Sequence, residues 1–190
     1  MRAWIVRCVV VISCLIGCGS AFAGTKQCSK ALGHIRATMQ KGDLLAAKLL
    51  ADQAVADACL IGCNDRQQVM LGQLREEVYR AYVTEQLNAA TKDIVVRRDG
   101  YAALQRITNA VKASKDLGAE LEGIDSLSAL AFVGAAVQNL RAANDVEKAG
   151  AFELSDRLRS QAIDFLRWAS ALDERVKKKL APPQQIRASM

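Results

Sequence analysis

Residues 126–140 read SLSALAFVGAAVQNL and carry no charge between Asp125 and Arg141. Leu127, Leu130, Ala131, Phe132, Val133, Ala135, Ala136, Val137 and Leu140 point all round a helical wheel. A helix apolar on every side is either packed among neighbours or immersed in lipid. This one falls short of the ~20 apolar residues a crossing needs, and Gln138 and Asn139 sit inside it. The stretch therefore reads as the dry central helix of a bundle.

Working outward, the rest of the chain is also helical in pattern. Hydrophobic residues make up 51% of the 190 and aromatics only 5%, so alanine and leucine supply most of the apolar surface. The only two prolines are Pro182 and Pro183, which leaves long stretches free of the strongest helix breaker. The one short β-branched run after the first segment is Ile94-Val95-Val96. These features predict an all-α, single-domain bundle of about six antiparallel helices stacked as hairpins, spanning residues 24–180. Residues 181–190 read as a frayed polar tail.

Apolar spacing places the first helix at about Gln27–Gln40 and the second at Leu44–Ile61, with Lys41-Gly42-Asp43 as the turn. The third runs from Asp65, with Gln68 as its capping-box partner, to about Ala90. Thr91 to Gly100 is the loosest stretch. The fourth covers Tyr101–Asp116, and the apolar fifth is capped by Asp125 or Ser126. The sixth spans about Ala149–Lys179. Its Leu158, Ala162, Phe165, Ala169, Leu172 and Val176 recur at 4, 3, 4, 3, 4, a heptad seam that asks for a partner helix. That partner is another helix of the chain or, in a homo-oligomer through 158–176, a second copy. Small-residue pairs such as Ala47/Ala54 and Ala103/Ala110 recur without a fixed repeat length.

The first segment argues for export. Arg2 and Arg7 precede a ten-residue apolar run from Cys8 to Gly17, and Ala21-Phe22-Ala23 forms an A-x-A cleavage site, so residues 1–23 read as a signal peptide. A competing cut lies before Cys18, where Leu15-Ile16-Gly17-Cys18 is similar to a bacterial lipobox and would make Cys18 a lipid-bearing residue. Either product belongs in the periplasm or on the outer-membrane side of a bacterial envelope. The cut after Ala23 leaves 24 basic and 20 acidic residues, a net of +4. In that compartment nucleic acid is not an expected partner; an acidic protein or an anionic membrane surface is.

Cys28, Cys59 and Cys63 remain after either cut, and an oxidising compartment favours a disulfide. Counting outward from Gly42 puts all three at one end of the first hairpin, and helix register favours Cys28–Cys59 over the alternative Cys28–Cys63. Such a clip would contribute about 3–4 kcal/mol in the chain-entropy model. The alternative is a thiolate site or redox centre in which Cys28, Cys59 and Cys63 face one Cu or Zn ion. His34, the only histidine, lies about 9 Å beyond Cys28 by helical rise and is a poor fourth ligand.

No catalytic constellation is present: no G-x-S-x-G, P-loop or H-E-x-x-H occurs, and no cofactor motif. The acid pairs Glu76-Glu77 and Asp173-Glu174 are neighbours that diverge on a helix. The reading is a non-enzymatic interaction or structural protein. Its candidate contact is the basic end of the sixth helix. From Arg157 to Arg187 eight Lys/Arg face three acids, and Arg167, Trp168, Arg175, Lys177, Lys178 and Lys179 form the expected docking patch. Part of that charge suits the helix macrodipole, and the excess suits an acidic surface.

Overall fold

The hairpin around Gly42 forms as its residues require. The computed structural model describes residues 24–180 and the side chains of residues 26–176. The two leader cuts, Cys18 and the 181–190 tail lie outside the described residues. Helix α1 (Gly24–Gln40) reaches Gly42, whose φ of +79° is cheap only for glycine, and the chain turns into α2 (Leu44–Ala56). Asp43 caps α2 by accepting from the Ala46 N–H at 3.0 Å. Helix α3 (Asp65–Lys92) runs without a break into a π-helical segment, Asp93–Arg97. Then come α4 (Gly100–Leu117), α5 (Ile124–Lys148) and α6 (Phe152–Leu180). Among the described residues the fold is all-α, with six α-helices and no strand.

Packing gathers the chain into two compact units, with the boundary between Tyr82 and Val83, inside α3. In the first, Cys28, Leu32 and Ile35 of α1 meet Ala47, Ala51 and Ala54 of α2 and Leu71, Leu74 and Val78 of α3. The alanines let the helices approach closely, at the expense of apolar area per residue.

The second unit is built on α5, which packs against both α4 and α6. Gly100 and Gly134 bring α4 and α5 into backbone contact. A Cβ at Gly100 would overlap the backbone of Ala131, Gly134 and Ala135, and one at Gly134 would lie 3.1 Å from the Gly100 Cα. The two amides inside the apolar helix make polar links to its neighbours. Gln138 Oε1 accepts from the Gly100 and Tyr101 N–H groups, at 2.9 and 3.3 Å, and so satisfies the open end of α4. Asn139 accepts from the Tyr101 hydroxyl at 2.7 Å and donates to Gln161 of α6 at 3.3 Å. The heptad seam of α6 is occupied by the same chain: Ala162, Ala169 and Leu172 are buried, and Phe165 stacks on Phe132 of α5.

Four local expectations need correction. Helix α2 stops at Ala56, not Ile61, because Asp57 closes it and residues 57–62 form successive turns ending at left-handed Gly62. The cap of α3 is Asn64, whose side chain and backbone exchange hydrogen bonds with Gln67; Gln68 instead donates to the Cys63 carbonyl. Helix α5 begins after left-handed Gly123 with no side-chain cap, so neither Asp125 nor Ser126 serves as one. Most consequentially, α5 is not covered all round: Leu130 is 57% exposed, and Val133, Val137 and Leu140 each 41%. Its neighbours cover one broad face only.

Candidate interaction surface

The disulfide is present, between Cys28 and Cys63 rather than Cys28 and Cys59. The Cα atoms are 5.3 Å apart, and Cys59 lies half-buried outside the bond. The turns at 57–62 explain the correction. Counting helical rise to Cys59 assumes a helix that has already ended, and the turns bring Cys63 to α1, with its N–H bonded to the Ala58 carbonyl. With two of the three thiols joined, the proposed thiolate set is not assembled. Among the described residues no group of three His, Cys, Asp or Glu side chains is placed to hold a metal ion. His34 is exposed on α1.

Two ionic clusters stiffen the units. In the first, the Tyr79 hydroxyl donates to Asp52 at 2.7 Å, Arg75 donates to the same carboxylate at 2.7 Å and Lys48 at 3.2 Å. Burial pushes the Asp52 carboxyl up, but the Tyr79 hydroxyl, Arg75 and Lys48 outweigh it and hold it below the ordinary value. The Lys48 ammonium and the Arg75 guanidinium also each lie 4.5 Å from the buried Tyr79 ring centre. In the second unit Asp93, 1% exposed, accepts from Arg106 at 2.6 Å and Arg97 at 2.8 Å. There too burial alone would raise the carboxyl, and Arg106 and then Arg97 reverse the sign. Every charge in these clusters is answered within the chain, which suits a structural role.

Of the expected basic patch, the side chains of Arg167, Trp168 and Arg175 are described. Trp168 belongs to an aromatic group with Phe132 and Phe165, at ring distances of 5.4 and 5.6 Å, and Tyr101 packs edge-on to Phe165. Arg167 turns to Asp164 at 3.3 Å, and Arg175 is exposed. The side chains of Lys177, Lys178 and Lys179 lie outside the described residues. Trp168, 53% exposed, keeps one side in contact with Phe132 of α5.

The surface that composition did not reveal is on α5. Leu130, Val133, Val137 and Leu140 follow one another at 3, 4 and 3 residues, so they form one stripe along the helix. The opposite side carries Ala131, Ala135, Asn139 and Ala143, all buried. On α6, Gln161 and Phe165 lie on the flank nearest Tyr101 of α4, while Arg159, ion-paired with Glu147 of α5, marks the other flank. By helical period Leu166, 44% exposed, falls on that second flank, the side of Arg159 and Glu147, with Ile163, 50% exposed, further round. Together these six side chains present roughly 500 Å² of apolar surface, at the upper end for a monomer and of the size that marks interaction sites.

No protein-family model matches the chain, and comparison with curated proteins and with solved structures gives no match either.

Proposed function

We propose that the protein is an exported, non-enzymatic interaction module of the bacterial cell envelope that seats a partner helix along α5. The observation that supports this best is the uncovered 3-4-3 stripe of Leu130, Val133, Val137 and Leu140 on the helix that organises the second unit. Four apolar side chains at that spacing make half of a helix–helix seam. The leader-like first segment and the Cys28–Cys63 bond are compatible with an oxidising compartment. No helix among the described residues is long and apolar enough to cross a membrane. The stripe fits a helix that carries the same spacing, and a second copy of this chain supplies one. Two such faces would bury about 1,000 Å², the lower bound for a specific interface.

Sedimentation equilibrium of the chain without its leader tests this directly. Mass should rise with concentration from one copy to two, and Val137→Asp should hold the protein at one copy with unchanged helical circular dichroism. A single copy at every concentration, with no adduct from a photo-crosslinker placed at position 137 in intact cells, rules out the stripe as a contact. Mass spectrometry of the envelope fraction tests the location separately: a chain cut after Ala23 or acylated at Cys18 agrees with export, and an intact leader in the cytosol contradicts it.

A further inference from the structure

The stretch where α3 gives way to α4 holds three features that the fold alone does not require. Val95 and Val96 are 70% and 68% exposed, although they are β-branched neighbours at a bend where polar residues would cost nothing. Lys92, Arg97 and Arg98 are exposed around them. Arg98 adopts φ 55° and ψ 36°, the left-handed conformation that glycine or asparagine takes at much lower cost.

The surroundings hold this tip rigidly. The Asp93 carbonyl accepts from the Arg98 and Asp99 N–H groups, closing the π-helical segment. The Asp93 carboxylate is buried beneath the tip and paired with Arg97 and Arg106. Ile94 points inward to Ala90, Ala103, Ile107 and Ala131. Asp99, the other nearby acid, is engaged in capping α4 through the Ala102 N–H and accepts from Gln138. Both local acids are therefore turned to internal work, and the outer surface combines an apolar pair with the cations Lys92 and Arg98, beside an Arg97 whose guanidinium is tied to Asp93. A π-helical interruption of this kind often accompanies a functional site.

We propose that the tip Lys92–Arg98 docks the protein on an anionic lipid surface, with Val95 and Val96 entering the headgroup boundary and Lys92 and Arg98 meeting lipid phosphates. A pair of valines alone has little reason to choose lipid over a protein groove. The encircling cations supply that reason, since they complement a negatively charged interface and lose nothing by remaining hydrated there. This surface is separate from the stripe on α5 and does not depend on it.

Co-sedimentation of the leaderless chain with vesicles tests the assignment. Vesicles containing phosphatidylglycerol should pellet the protein at low salt, vesicles of phosphatidylcholine alone should not, and high salt should release it. Val95→Ser/Val96→Ser and Lys92→Gln/Arg98→Asn should each weaken binding at least tenfold with an unchanged melting curve, because asparagine keeps the left-handed turn. Binding unaffected by both double variants, equal binding to phosphatidylcholine, or complete release by polyglutamate of matched charge would each overturn the proposal. So would loss of binding in a variant changed only at Arg175, Lys177, Lys178 and Lys179, which would move the contact to the end of α6.

Discussion

The two units of the chain hold together by different means. The unit up to Tyr82 packs alanine-rich α2 against α1 and α3, and its largest fully buried side chain belongs to a tyrosine bound to an ion pair. A body of about sixty residues buries a modest share of its surface, and the Cys28–Cys63 bond makes up for it by constraining the unfolded chain. The unit from Val83 has no disulfide among the described residues. It relies on the Gly100–Gly134 approach, the Gln138 and Asn139 amides, an aromatic group and a buried carboxylate between two arginines. The contrast shows how an aromatic-poor, alanine-rich sequence can be stabilised twice over: by a covalent clip where the core is small, and by close backbone contact with satisfied polar groups where long helices permit it.

Reduction should separate the two most sharply. Breaking a bond that spans 35 residues removes about 4 kcal/mol in the chain-entropy model. Hydrogen exchange with and without reductant should show α1 and α2 amides losing protection by about that amount, while α5 and α6 amides keep theirs. Cys28→Ser/Cys63→Ser should reproduce the reduced pattern. Equal loss across α5 and α6 would mean that the clip supports the whole chain, and the contrast would fail.

Acid should act on the other side of the comparison. The Asp93 carboxyl is held below its ordinary value in the folded chain, so its contribution is complete above the unfolded value of about 3.9. That contribution is lost as pH falls through the lowered folded value. Asp93→Asn, which leaves Arg97 and Arg106 without their counter-charge, should cost about 3 kcal/mol at neutral pH. Denaturant midpoints for the two proteins should converge as pH drops below 4. Asp52 has the same sign, but its side chain is 33% exposed, so Asp52→Asn should change the first unit less. A larger effect from Asp52 would reverse the assignment of the costlier buried charge.

Much of the fold was legible because helix spacing is periodic and the punctuation is strong. Gly42 with Asp43, Gly118 and the 158–176 seam act where the sequence places them. The errors have two physical sources. One is local: residues 57–62 are compatible with continuing a helix, and only the observed turns show that Cys63, not Cys59, reaches Cys28. Thr91–Gly100 stands out in the sequence as the loosest stretch, a loop or a kinked continuation, but no side-chain period announces the π-helical form of Asp93–Arg97 within it. The other is the inference from apolar to buried. Apolar residues dominate interiors, yet they also make up much of a folded surface. The wheel of 126–140 shows every side to be greasy and cannot show which side lacks a neighbour. The amides at Gln138 and Asn139 were the available signal for the covered side, since buried amides need partners.

The smallest expected effect tests whether the second unit's polar groups are as well satisfied as its amides suggest. Ser155 sits in the first turn of α6, 2% exposed, with a hydroxyl that finds no hydrogen-bond partner among the described residues. Its N–H bonds to the Ala151 carbonyl, so the backbone is provided for and the hydroxyl alone bears the desolvation cost. Replacing it with alanine removes that oxygen while leaving the small size that the α5–α6 packing needs. Ser155→Ala should therefore leave stability unchanged or raise it by up to about 1 kcal/mol, read as a higher denaturant midpoint with the same slope. A loss of more than that would show the hydroxyl to be engaged, and would place a polar link at the start of the α5–α6 hairpin to match the one Asn139 makes with Gln161 further along it.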